Sequence, residues 1–384
     1  MNMEEIKRIL NPPFASNEGD NYYDSLSGRL SSYINYLHIS AFDKVLSSDD
    51  YQRFTDIRKK ILHVLQQYLS GHSGEAYKEF ENLMDTISFD WKEMGYSINS
   101  DNAFIRIRST SENLNKRTDM FHVPFNKRQL ISKQRYSIEG FPCLYLAGCA
   151  YTSWLELNRP EFNSIWASSF RPTKELDILD MTLTLDSLEA NYSNYGLNHI
   201  KDLLCLYFLV IATSYRVKYP LAYFHEEYII SGLLLQWIVL KSPFVGLRYL
   251  STKLEYYDPE KLWCASNIVI PPREHDHIEK YNRFLKESFV LTLPQHWYVL
   301  MSYSNAGSVA CLECGGDYFK EKTPIGDVNK DTPKNLDDVI FNNYNATWFY
   351  NIDGYLRSMF EVDHIEWDHG VGSNHGVGSG DYLK

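Results

Sequence analysis

No run of apolar residues in this chain reaches the roughly 20 that a membrane-spanning helix needs. The longest, LLCLYFLVIA from Leu203 to Ala212, is flanked by Asp202 and by Ser214, Tyr215 and Arg216, and reads as a buried helix. Patterned cysteine is missing too. The six thiols, Cys143, Cys149, Cys205, Cys264, Cys311 and Cys314, are scattered along 384 residues, which excludes a disulfide-stapled mini-protein. The N-terminus MNMEEIKRIL lacks the charged-then-apolar layout of a signal peptide, so a reducing cytoplasm is the expected setting and no membrane contact is foreseen. Positive charge is in short supply. With 38 Lys plus Arg against 49 Asp plus Glu, the formal charge of −11 disfavours nucleic acid as a partner, because phosphate neutralisation supplies most of that affinity. A local basic pocket stays open.

Hydrophobic residues make up 44% of the chain and charged residues 23%, a globular balance with enough length for two domains or one elaborated domain. The 29 tyrosines suit a nucleotide pocket, since each offers a stacking face and a hydrogen-bonding tip, and they suit a Tyr-rich core equally. Up to about Gly95 the pattern is helical. Ser47, Ser48, Asp49 and Asp50 put capping groups before YQRFTDIRKKILHVLQQYL, whose Phe54, Ile57, Ile61, Leu62, Leu65 and Leu69 recur at helical spacing until Gly71. A second helix is predicted from Glu75 to Ile87.

After Ser97 the texture changes. FIRIR, LYLAG, SIWASSFR, ELDILDM, FVGLRYLS and NIVIP read as strands, interleaved with helices around Ile200–Arg216 and His225–Leu240. The expected class is α+β: a helical N-terminal domain over residues 1–95, a mixed-sheet domain over 96–365, and a Gly-rich tail over 366–384 with little to bury.

Several motifs carry little. The tail repeats HGVGS but follows no strand and precedes no helix, so it lacks the frame of a phosphate-binding loop, and its His369 and His375 have no fixed geometry. Cys311 and Cys314 form half a zinc knuckle without the other half. His225-Glu226-Glu227 has Ile229 where a metalloprotease needs its second histidine, and His275 and His277 read as a solvated helix start. No metal is expected. Arg58 and His63 in RKKILH resemble the spaced Arg and His of HEPN-type ribonucleases; a solvated helix face, or a HEPN-like scaffold without activity, accounts for them better in so acidic a chain.

One constellation is more specific. FIRIRS, then MFHVPFNKRQLISKQRYSIEGFPCLYLAGCAYTSWLELNRP, then FVGLRYLSTK together resemble the RES domain family, over roughly Phe104 to Thr252. By that resemblance the family's Arg, Glu and Ser are Arg106, Glu156 and Ser251, with Arg108 competing for the first role. The family's Gly-Arg-aromatic element matches Gln134, Arg135 and Tyr136, with Gln in place of Gly, and its Leu-Tyr-Leu-Ala segment places Tyr145. Relatives in this family resemble ADP-ribosyltransferases in fold and act as toxins that cleave or phosphorolyse the nicotinamide glycosidic bond of NAD+.

The resemblance therefore implies NAD+ as substrate rather than cofactor, water or phosphate as acceptor, a neutralising antitoxin or regulatory partner, a homo-oligomer, and a place in phage defence. The residue chemistry agrees with it. Nicotinamide leaves a cationic pyridinium as a neutral group, so no general acid is needed at the leaving atom and one carboxylate, Glu156, suffices. Arg106 and Arg135 would hold the pyrophosphate, Tyr136 and Tyr145 would meet nicotinamide or ribose, Ser251 would position an amide or hydroxyl, and His122 would stand nearby. Taken singly, each residue also reads as structure: a wet strand face, a surface helix position, a turn cap. Transfer of ADP-ribose to a macromolecule and non-catalytic sensing of NAD+ or ADP-ribose remain alternatives.

Overall fold

A computed structural model describes residues 3–17, 19–88, 91–254, 257, 261–273, 280–300, 344 and 347–361. Cys311, Cys314, His275, His277, His369, His375 and the Gly-rich tail lie outside the described residues.

The chain opens with four helices, α1 (Met3–Leu10), α2 (Tyr22–Ile39), α3 (Ser48–Leu69) and α4 (Ser73–Ile87). Helix α3 starts where its capping residues predict. The Ser47 hydroxyl accepts from the Asp50 amide, and the Asp50 carboxylate accepts from the Ser47 amide at 2.7 Å, a reciprocal capping box. Gly71, at φ +86°, turns the chain out of it.

The strands follow: β1 (Gly95–Ile98), β2 (Phe104–Ser109), β3 (Leu144–Ala147), then helix α5 (Ala150–Glu156), β4 (Ile165–Pro172) and β5 (Leu176–Met181). Helices α6 (Leu185–Asn191), α7 (Leu197–Thr213) and α8 (Ile229–Leu240) lead into β6 (Gly246–Leu250). Short α9 (Leu262–Ala265), β7 (Ser266–Ile270), α10 (Arg283–Ser288), β8 (Phe289–Leu291), β9 (Gln295–His296) and α11 (Trp348–Ser358) complete the described elements. The eighth helix starts later than its sequence pattern predicts, because a 3₁₀ turn occupies Glu226–Tyr228.

The strands form one sheet in the order β1-β5-β6-β7-β3-β2-β4-β8, with β9 also on β4. Among the described strands, β5 and β6 alone pair in parallel. The chain is α+β with a helical N-terminal part. The expected boundary near residue 95 falls where helix gives way to β1, yet the core runs across it. Tyr33 of α2 packs on Tyr207 and Phe208 of α7 with ring centroids 5.1 and 4.9 Å apart, and Phe54 of α3 lies 5.8 Å from Phe208. Arg53 of α3 bonds the Thr86 carbonyl and the Asp202 carboxylate, tying α3 to α4 and α7. Helix α7 is buried on all sides from Leu203 to Thr213, as its unbroken apolar run predicts, and no described helix is long and apolar enough to cross a membrane.

One feature of the sheet positions the site. Strands β2 and β3 share a single registered pair, Ile105 with Ala147, whereas β2 and β4 share six, Phe104 to Ser109 against Phe170 to Ile165. The sheet therefore parts between β2 and β3, and the backbone groups there are free for side chains.

Candidate functional site

Arg106 and Ser153 occupy that parting. Arg106 donates from Nη1 to the Tyr145 carbonyl at 3.1 Å, and the Ile107 amide donates to Ser153 Oγ at 3.0 Å, which fastens α5 against β2. Beside them opens a cavity of about 670 Å³, lined by Arg106, Arg135, Tyr145 and Glu156 together with parts of the 132–134, 216–228 and 249–253 segments.

Helix α5 is short and fixed at both ends. At its start the Asp353 carboxylate of α11 accepts from the Ala150 amide at 2.9 Å, a cap supplied from two hundred residues away. Its end is a Schellman motif: the Asn158 amide donates to the Leu155 carbonyl at 2.9 Å and the Arg159 amide to the Trp154 carbonyl at 3.1 Å, with Asn158 at φ 60°. Between these ends Tyr151, Trp154 and Leu155 are buried, Trp154 stacking on Phe162 at 5.2 Å. Glu156 is thus the last helical residue, and its Oε1 accepts from Asn267 Nδ2 of β7 at 2.7 Å. Asn267 is a buried polar residue in a strand, SNIVI, that is buried throughout. That lone amide among apolar neighbours is the signal that marks it in the sequence, outside the motifs that resemble the RES family.

The eight residues singled out from sequence divide into two sets. Arg106, Arg135, Tyr145 and Glu156 share the cavity although they come from β2, a loop, β3 and α5. Desolvation, with Arg108 as a second cause, lowers Arg106 to about 10, and its Nε–H is buried without a hydrogen-bond partner among the described residues. Burial raises the Tyr145 phenol far above its ordinary value, and its hydroxyl donates to the Tyr136 carbonyl at 3.0 Å. Arg135 is at the wall but committed: its guanidinium donates to the carbonyls of Thr213, the last residue of α7, and Tyr215, just beyond it, and to Thr252 Oγ1 at 3.2 Å.

The other four are held elsewhere. Tyr136, at φ 56°, turns its ring into the core against Tyr249, 4.7 Å between centroids. Ser251 is fully buried and accepts from the Lys253 amide through Oγ, while its neighbours Thr252 and Lys253 line the cavity. Arg108 is exposed and donates to the Asp119 carbonyl. His122 is buried, its Nε2 accepting from the Asn282 amide at 2.9 Å and its Nδ1 facing the Val123 carbonyl at 2.8 Å. An accepting Nε2 places the ring proton on Nδ1 and fixes one neutral tautomer. The remaining motif pair also separates: Arg58 bonds Ser27 of α2 at 3.0 Å, whereas His63 is exposed.

His122 gives a prediction for stability. Burial lowers it from 6.5 to about 4, so the unfolded chain takes up this proton first and the folded state loses stability as pH falls through that window. The wild type is expected to lose about 2 kcal/mol between pH 7 and pH 5 from this group alone. Urea midpoints of wild type and His122→Gln at both pH values check it; equal pH dependence in the two proteins refutes it.

Chemically, the described lining residues present one carboxylate, Glu156, against Arg106, Lys133, Arg135, Arg216 and Lys253, in a chain whose net charge is −11. That reversal of sign suits an anionic ligand, and Tyr145, Tyr228 and Tyr249 also line the cavity.

Comparison with known proteins adds one finding. The chain is 28% identical over 310 residues, 77% of its own length and 70% of the other's, to a Bacillus subtilis (strain 168) protein named "Putative toxin YopC". No family model matches the chain, and no solved structure matches it. Neither comparison shows the RES family.

Proposed function

We propose that this chain is a toxin that cleaves the nicotinamide glycosidic bond of NAD+. The observation that carries this reading is the meeting of Arg106, Arg135, Tyr145 and Glu156 on one cavity where Glu156 is the only carboxylate among the described lining residues. The similarity to a protein named as a toxin supports the biological half of it.

In the reaction the C1′–N1 bond of the nicotinamide riboside breaks and its electron pair passes to the pyridinium nitrogen, so nicotinamide departs neutral. Positive charge moves to the ribose C1′ and O4′, and the Glu156 carboxylate, oriented by Asn267, stabilises it through space. Water then adds at C1′ and releases a proton, giving ADP-ribose, or phosphate adds and gives the 1-phosphate ester. Arg106 and the cavity lysines balance the diphosphate, and the tyrosines flank the ring that leaves.

The test follows nicotinamide release from NAD+ by the purified protein, with and without inorganic phosphate. Release is expected, and its dependence on phosphate identifies the acceptor. Absence of release under both conditions, with ADP-ribose or NAD+ binding intact, overturns catalysis in favour of sensing. Covalent ADP-ribose adducts on protein or nucleic acid, read as a mass increase, in place of free ADP-ribose, would instead assign transfer to a macromolecule.

A further inference from the structure

The five cations of the cavity are not equally available. Arg135 is engaged by the carbonyls of Thr213 and Tyr215, and Arg216 donates from Nε to the Thr252 carbonyl at 3.0 Å and from Nη2 to the Leu254 carbonyl. These two guanidinium groups pin the end of α7 and the chain after β6, and they shape the wall. Arg106 lies in the parting of the sheet, bonded to Tyr145.

Lys133 and Lys253 are different. Lys133 is half-buried, its ammonium over the Phe224 ring at 4.7 Å, an arrangement that fixes the charge without using its N–H donors. Lys253 is exposed, and its Nζ donates to the neutral Asn158 carboxamide at 2.8 Å. Neither forms a salt bridge among the described residues. Each ammonium has three donors, so most of that capacity is uncommitted. Asn158 is also the residue that closes the Schellman motif after Glu156, which couples Lys253 to the end of the helix carrying the carboxylate.

We propose that Lys133 and Lys253 form the diphosphate subsite of this cavity, in place of Arg135. The ligand class is a diphosphate-bridged nucleotide, lying with its phosphates against the two lysines and its glycosidic carbon at Glu156. The assignment of the glycosidic end rests on the reading of the cavity as an NAD+ site; the phosphate clamp itself does not. Two ammonium point charges with donors to spare suit a diphosphate whose negative charge is spread over four oxygens, and lysine is a common phosphate binder on this basis.

Calorimetric titration of the full chain with ADP-ribose, inorganic pyrophosphate and adenosine tests this. The Lys133→Ala/Lys253→Ala double variant is expected to bind ADP-ribose and pyrophosphate at least 30-fold more weakly than wild type, with adenosine unaffected. Lys78→Ala, which removes an exposed charge paired with Glu75 on α4, is expected to match wild type. Circular dichroism of the double variant establishes that it is folded. Unchanged ADP-ribose and pyrophosphate affinity in the double variant overturns the clamp and leaves the NAD+ reading standing. Lysine-dependent pyrophosphate binding without ADP-ribose binding upholds the clamp and overturns the NAD+ reading. Failure of wild type to bind either phosphate probe overturns the clamp.

Discussion

Glu156→Gln is expected to lower nicotinamide release from NAD+ by about 10³-fold, a loss of ~4 kcal/mol in transition-state stabilisation. The substitution removes charge and little else. The glutamine carbonyl retains an acceptor for Asn267 Nδ2, the side chain keeps its length, and Glu156 is only half-buried at the end of α5. Thermal stability should therefore stay close to that of wild type. In the proposed reaction the cation at C1′ develops only on the way to the transition state, so the missing charge should appear in kcat with KM for NAD+ little altered. Asn267→Asp makes a useful companion. It places a second carboxylate against Glu156 in a buried strand, where two like charges resist joint ionisation, and the pH profile of the residual activity should shift to higher pH. A Glu156→Gln enzyme with wild-type kcat would remove the carboxylate from the mechanism.

The sheet was legible because its strands carry their own signals. β-Branched and aromatic runs bounded by polar residues located β2 to β7, and Ser47 with Asp50 located the start of α3. Family order in the local motifs led to Arg106, Arg135, Tyr145 and Glu156, which do share one cavity. What sequence could not give was the direction of each side chain. Tyr136 adopts positive φ and turns its ring inward, so neighbouring Arg135 and Tyr136 reach different environments. Ser251 lies beyond β6, beneath a surface that Thr252 and Lys253 form. The occupation of Arg135 depends on where α7 ends, a fact set by packing of a helix some eighty residues along the chain. Lys133 and Lys253 lie within the same motifs, two residues from Arg135 and from Ser251. Nothing in their spacing reported that the neighbouring arginines were already engaged.

The second large effect is expected at Gly148, between β3 and α5. A methyl group there would lie 1.8 Å from the Trp263 carbonyl oxygen and 2.9 Å from its carbon, well inside contact distance. The obstacle is backbone, which no rotamer change relieves, and the Gly148 amide itself donates to the Ser266 carbonyl at 2.8 Å. Gly148→Ala must therefore push β3 away from the α9–β7 junction, at an expected cost of more than about 3 kcal/mol. The same displacement separates the elements that carry the Glu156 and Asn267 pair, so any folded fraction should lose activity beyond what its population explains. Gly28→Ala offers the opposite sign. Gly28 is exposed within α2 with nothing near its Cβ position, and alanine there should stabilise the helix by about 0.5–1 kcal/mol. Urea denaturation of the two variants beside wild type reads both effects. A Gly148→Ala protein of wild-type stability would mean that β3 and the Trp263 carbonyl stand farther apart, and the geometry that aims α5 at the cavity would fall with it.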